Sequence, residues 1–254
     1  CDAYNNYDDV SENGDGGNTD GFGCHPSEGG EGNIFRGCRA WFNSDDGFDT
    51  IGAYEAITFD QCWAFYNGYS TTFEKLVDGN CFKIGEYSNW DESKIPEIIP
   101  VNTIQFCLAV RNKANGFYSN HHLTGNNWLN NSAYGNRWNY HMVNRESRYS
   151  QNIDVDGYDH VLKNNLGYEG RQGEITDAPV DKNTFVTNSF EYSLNDNDFV
   201  DLDEDELTGP RGDNYNLPSI NFLNIKETSK LMDAGTDIGF EYLGDDPEIG
   251  AFEQ

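Results

Sequence analysis

Basic side chains are scarce in this chain: 16 Lys and Arg stand against 44 Asp and Glu, a formal net charge of −28 over 254 residues. So negative a surface repels polyanions, which argues against nucleic acid or an anionic membrane as a partner met by bulk charge. An anionic substrate would need local positive charge from a metal ion or from one well-placed Lys or Arg. Most of the carboxylates read as a solubilising surface. Long apolar runs are missing too, and none approaches the roughly 18 residues of a membrane span. There is no signal peptide and no initiator Met, so the opening "CDAYNNYDDV" reads as a processed chain or an internal fragment. Apolar residues make up only 36%, which predicts a thin core, yet aromatics reach 14% and Gly and Asn are abundant. That composition opposes disorder and points to a turn-rich, mostly β protein.

Self-similarity organises the sequence. The segments "CDAYNN" (1–6), "CRAWFN" (38–43), "CWAFYN" (62–67) and "CLAVRN" (107–112) share Cys-x-Ala-x-x-Asn; "NSAYGN" (131–136) lacks only the Cys, and "NLGYEG" (165–170) is a degenerate copy. A second motif follows each of the first five: "TDGF" (19–22), "DDGF" (45–48), "GNCF" (79–82), "ANGF" (114–117) and "WNYH" (138–141). The unit is strand, bend, strand, with the two-residue alternation of β structure. Its recurrence every 24 residues, between 38 and 62 and between 115 and 139, with longer gaps read as insertions, predicts an all-β parallel β-helix with loop insertions. Cys1, Cys38, Cys62 and Cys107 are expected to stack as buried thiols, with an extracellular disulfide framework as the alternative. Asn6, Asn43, Asn67, Asn112 and Asn136 are expected to form a structural ladder at the bend.

Stacking the coils also gathers charge. Asp20, Asp46, Asn80, Asn115 and Asn139 are assigned one stacked position, and Asp49 and Lys83 share another. With coils about 4.8 Å apart, Asp20, Asp45, Asp46 and Asp49 converge beside Lys83. Carboxylates so close repel unless a cation joins them, and oxygen ligands on loops suit Ca²⁺. Lys83 then has two readings. Beside a metal ion its pKa falls and it serves as a general base; alternatively it forms a salt bridge to Asp49 that needs no metal and keeps it protonated.

The motifs "NTDGF", "NSDDGFD", "DGNCFKIG" and "NKANGF", in this order, resemble those of the family 9 polysaccharide lyases. The resemblance covers residues 1–170 and, more weakly, the closing "LMDAGTDIGFEYLGDDPEIGAFE". It implies a right-handed parallel β-helix that cleaves pectic polysaccharide by β-elimination with Ca²⁺, the metal-binding aspartates falling on Asp20, Asp45, Asp46 and Asp49 and the catalytic lysine on Lys83. The runs "NKANGFYSNHHLTGNNWLNNSAY" and "GYDHVLKNNLGY" look most like the rhamnogalacturonan-cleaving members, with pectate cleavage as the near alternative. Two departures fall beside the lysine: Cys81 stands where the family usually has glycine in "DGNGFK", and Glu86 where a second glycine is common. A secreted, periplasmic or cell-surface monomer acting on an acidic pectic polymer is implied, without nucleic acid or membrane. The chain begins where the family would already have several coils, so these residues alone are expected to be poorly soluble.

Some assignments stay outside that resemblance. Tyr118, Asn120, His121 and His122 are candidates to line a substrate groove, and Trp128 and Trp138 either stack on sugars or fill the core. The Asp201-x-Asp203-x-Asp205 spacing hints at a calcium loop, but Glu206 and Gly212 break the EF-hand pattern, so 195–213 reads as a solvated loop. Residues 171–254 are expected to be loops and a hydrophobic return packed on the last coils or along the stack. Two other classes compete: a non-catalytic carbohydrate-binding β-helix whose aspartates hold a structural ion, and a β-helical glycoside hydrolase, which needs paired acids and no metal.

Overall fold

The computed structural model describes residues 1–10, 16–87 and 92–253. Its chain winds through three six-stranded parallel sheets. The first holds Asp2–Tyr4, Arg39–Trp41, Trp63–Phe65, Leu108–Val110, Ser132–Tyr134 and Leu166–Tyr168. The second holds Phe22–Gly23, Phe48–Asp49, Phe82–Gly85, Phe117–Asn120, Trp138–His141 and Gly173–Thr176. The third holds Asn33–Arg36, Ile57–Asp60, Thr103–Gln105, Asn127–Leu129, Val161–Lys163 and Thr184–Val186. Each full coil visits the third, first and second sheets in turn, which is a parallel β-helix. Among the described residues, helical structure is confined to short 3₁₀ turns, and no helix is long and apolar enough to cross a membrane.

The register follows the repeat. Ala3, Ala40, Ala64, Ala109, Ala133 and Gly167 pair in line across the first sheet, because only a small side chain fits the narrow interior there. Phe22, Phe48, Phe82, Phe117 and Tyr140 stack inward from the second sheet, with ring centroids 4.9 to 5.1 Å apart. A thin core is thus made continuous by aromatic contact along the axis. Trp128 is fully buried in it, so it fills the interior. All six cysteines are free; Cys38, Cys62, Cys81 and Cys107 are buried and Cys1 is exposed. In the same row, Cys107 Sγ accepts from the Cys62 amide and Asn131 Oδ1 from the Cys107 amide, so asparagine takes over the cysteine position in later coils.

The expected asparagine ladder is present. Each Nδ2 donates to the next Oδ1 from Asn6 through Asn43, Asn67 and Asn112 to Asn136, at 2.8 to 3.1 Å. One alignment is corrected. Tyr140, not His141, pairs with Phe117, so Asn139 lies one residue away from the Asn80 and Asn115 position. Instead its Oδ1 accepts from Asn136 Nδ2 at 3.0 Å and ends the ladder where Gly170 has replaced the next asparagine.

The coils continue past residue 170, through Gly173–Thr176 and Thr184–Val186. The remaining chain runs along the outside of the first sheet, where Phe199, Leu207, Phe222, Leu223 and Leu231 cover Trp63, Phe65, Leu108 and Val110. The acidic stretch behaves as turns: Asp201 Oδ1 accepts from the Asp203 amide and Asp203 Oδ1 from the Asp205 amide. Arg211 binds Asp2 and the carbonyls of Cys1 and Gly37, tying this return to the first coils.

Candidate metal and base site

A second ladder builds the site. Asp20 Oδ1 accepts from the Asp46 amide at 2.9 Å, Asp46 Oδ1 from the amide and Nδ2 of Asn80 at 2.6 and 2.9 Å, and Asn80 Oδ1 from Asn115. These rungs sit at the turn entering the second sheet. Glycine follows in three coils because a Cβ on Gly21, Gly47 or Gly116 would meet the Nδ2 of Asn43, Asn67 or Asn136 at 2.8 to 2.9 Å. Cys81 departs from that pattern without disturbing the strand: it is fully buried and its thiol donates to the Ala64 carbonyl at 2.8 Å. Glu86 adopts a left-handed φ of 59°, the conformation that favours glycine, and its carboxylate accepts from Asn120 Nδ2 at 2.6 Å.

Asp20, Asp45 and Asp46 each bring a carboxylate oxygen within 4.8 Å of the others. Asp49 stands outside this triad, beside Lys83. Lys83 Nζ lies 3.1 Å from Asp46 Oδ2 and 3.1 Å from Asp49 Oδ2, because Asp49 and Lys83 are paired on adjacent strands. Asp45 Oδ2 accepts from the Asn18 amide at 2.7 Å, while Asp45 Oδ1 is buried without a partner and Asp46 Oδ2 has only the Lys83 ammonium. Burial, with added repulsion from Asp49 and Asp45, pushes Asp20 up to about 6. Burial likewise raises Asp45 and raises Asp46 well above the usual carboxylate range, against the pull of Lys83. For Lys83, burial opposes the charged form, but the Asp46 and Asp49 carboxylates outweigh it and raise its pKa. In this state the salt-bridge reading describes the lysine.

The triad fits a hard divalent cation. Its donors are all carboxylate oxygens, the buried Asp45 Oδ1 lacks a partner, and one ammonium answers four carboxylates. Asp20, Asp45 and Asp46 would hold the ion, with Asp49 within reach through its place beside Lys83.

The remaining candidates divide. Tyr118 is the strand neighbour of Lys83, and its hydroxyl meets His121 Nε2 at 3.3 Å. Both lie on the same outer face as the lysine. Asn120 and His122 are buried, which takes them away from the groove surface where they were expected. His122 packs on Tyr87 and reaches the Pro100 carbonyl at 3.0 Å, and burial lowers its pKa to about 4, so it is a neutral structural group. Sequence reasoning missed Asp154 and Asp177, which pair with His121 and His141. Both follow the last well-formed motif and sit in no aligned position, so spacing carried no signal for them.

Fold and site together define a class: a parallel β-helix with a carboxylate pocket and an adjoining lysine on one sheet. Residues 1–169 match the family described as Pel9A-like, right handed beta helix region, and the chain belongs to it. This bears out the resemblance to the family 9 lyases and gives the helix its right hand. The chain is 32% identical over its whole length to pectate lyase L of Dickeya chrysanthemi, covering 54% of that protein. Among solved structures, it superposes on a rhamnogalacturonan lyase with a TM-score of 0.83 and 45% identity, over 89% of this chain and 56% of that one. It superposes on the pectate lyase Pel9A with a TM-score of 0.79 and 31% identity, over all of this chain and 58% of that one. The chain thus spans about half the length of the curated relatives it matches.

Proposed function

We propose that the protein is a calcium-dependent lyase of pectic polysaccharide, acting by β-elimination at a galacturonate unit with Lys83 as the base. The observation that carries this reading is the juxtaposition of Lys83 with an under-compensated carboxylate triad at the turn entering the second sheet. Calcium held by Asp20, Asp45 and Asp46 would neutralise the substrate carboxylate and lower the cost of charge developing at C5. Lys83 takes the C5 proton; the C5–H electron pair becomes the C4–C5 double bond, and the C4–oxygen bond breaks with its electron pair leaving on the oxygen, which takes a proton from water. For this the lysine must be unprotonated, and its proton is held by the Asp46 and Asp49 oxygens. Withdrawal of those oxygens from Lys83 is therefore what converts a salt bridge into a base.

Rhamnogalacturonan is the favoured polymer, since identity to the solved rhamnogalacturonan lyase is 45% against 29 to 34% for the pectate lyases. Action outside the cell on a polymeric substrate, as a monomer, is part of the same reading. The test is to follow unsaturated uronate by ultraviolet absorbance on rhamnogalacturonan and on pectate, with calcium and with a chelator. Product from rhamnogalacturonan in calcium alone is expected; faster product from pectate would reverse the preference.

A further inference from the structure

Outside the carboxylate pocket, the most constructed part of the surface is the same strand row farther along the helix. Asp49, Lys83, Tyr118 and His141 pair successively across the second sheet. Tyr118 stacks on His141 with ring centroids 5.0 Å apart, and both rings are fixed from one side. His121 receives the Tyr118 hydroxyl and is itself paired to Asp154, while His141 Nε2 meets Asp177 Oδ2 at 2.7 Å. That edge of the row is acidic, with Glu86 nearby. Burial lowers the His141 pKa, Asp177 counters it, and the charges of Arg137 and His121 reach it too.

The opposite edge changes sign. At the turn where the early coils carry Asp20, Asp45 and Asp46, the later ones carry Lys113, Arg137 and Arg171, three of only 16 basic residues in the chain. Lys113 is spent on the carbonyls of Leu76 and Val77, and the Arg171 fork on those of Gly135, Asn112 and Lys113. Arg137 is different. It is exposed, its Nε donates to Gln172 Oε1 at 2.9 Å, and its two terminal nitrogens have no partner among the described residues. The guanidinium is held by one bond with its carboxylate-binding fork open.

We propose that Arg137, together with the clamped Tyr118–His141 pair, forms a second subsite that binds a further uronate carboxylate of the same polysaccharide chain. The inference rests on the function proposed above. Backbone bonds place Gly79, Ala114 and Arg137 in successive coils of the turn that begins with Asp45, so Arg137 lies three coils from the pocket, ~14 Å at the strand spacing. That is the reach of a few sugar units. Acid on the histidine edge and cation on the Arg137 edge fix which way the carboxylate faces. Because Lys113 and Arg171 are already engaged, Arg137 decides the affinity.

Calorimetry of the full chain carrying Lys83→Ala, so that ligand is not consumed, tests the subsite with calcium present and two probes: a rhamnogalacturonan disaccharide and a rhamnogalacturonan hexasaccharide. The expected result is tighter binding of the longer probe, and an Arg137→Gln variant in the same background that loses about tenfold on the hexasaccharide and nothing on the disaccharide, with Arg137→Lys recovering part of the loss. Equal losses on both probes, or none on either, overturn the subsite while leaving the function reading intact. A folded chain that binds neither probe before Arg137 is changed overturns that reading and the subsite with it.

Discussion

Two ladders of short amide and acid side chains run along this helix, one on each side of the turn between the first and second sheets. The ladder from Asn6 to Asn139 is neutral throughout, and every rung from Asn43 to Asn136 is fully buried. The other keeps the same bonding in Asn80 and Asn115 but carries Asp46 and Asp20 as its first rungs. In the neutral ladder each Oδ1 accepts from the preceding coil and each Nδ2 donates to the next; in the charged one each Oδ1 accepts from the following coil, and in Asp20 and Asp46 the second atom is an oxygen that cannot donate. The substitution leaves the scaffold intact and frees an acceptor, and two coils of it beside Asp45 assemble a pocket. A structural device thus becomes a site by exchanging amide for acid at a few rungs.

The largest effect expected is on catalysis. Lys83→Ala should lower the lyase rate by ~10²–10⁴ with calcium affinity retained, as read by initial rates and by calcium titration. Next, Asp46→Asn keeps the acceptor that Asn80 uses but removes the charge. Its prediction is loss of the calcium-induced rise in Tm with the metal-free Tm no lower, because relief of the burial cost and of repulsion from Asp45, Asp49 and Asp20 offsets the lost ion pair to Lys83. The reverse exchange, Asn67→Asp, places a charge in the neutral ladder with no cation near, and should cost about 3–5 kcal/mol in denaturant unfolding. If Asn67→Asp were harmless, the two ladders would not differ as argued.

A titration sharpens the comparison further. Asp20, Asp45 and Asp46 have raised pKa values in the fold, so without metal they favour folding below their unfolded pKa, and that contribution is lost as pH rises through about 6 for Asp20. The buried His122 and His160, lowered to about 4 and about 3 by burial, work in the opposite direction, contributing stability above about pH 6.5 that is lost in acid. The raw Tm mixes the two, whereas the difference between calcium and chelator isolates the carboxylates. That difference should be large at neutral pH and shrink as pH falls through 6. The smallest effect is at the ladder's end: Asn139→Ala removes the final acceptor for Asn136 and should cost about 1–2 kcal/mol.

Much of this was legible because a β-helix repeats. Identical residues at identical coil positions fixed the alanine row, the phenylalanine stack and the first ladder, and placing Asp45, Asp46 and Lys83 needed only that alignment. Asn139 was misplaced because "WNYH" keeps the motif's length but shifts its aromatic by one residue, a slip that moves a side chain to the other face. His122 was missed as a buried group because the chain turns after the strand ends at Asn120, where His121 takes a left-handed φ of 49°; Asn120 itself stays on the strand and is engaged by Glu86. Asp154 and the Arg137 fork were invisible for another reason, since their roles depend on neighbours brought close by insertions and turns that repeat nowhere else.

The central claim is that an acid-substituted ladder holds a cation beside a lysine base. Its most direct test is formation of unsaturated uronate from rhamnogalacturonan by the full chain, comparing calcium, chelator and Lys83→Ala. Product that requires both calcium and Lys83 is the predicted result. No product from protein shown to be folded and to bind calcium would contradict the claim and leave a carbohydrate-binding helix with a structural ion.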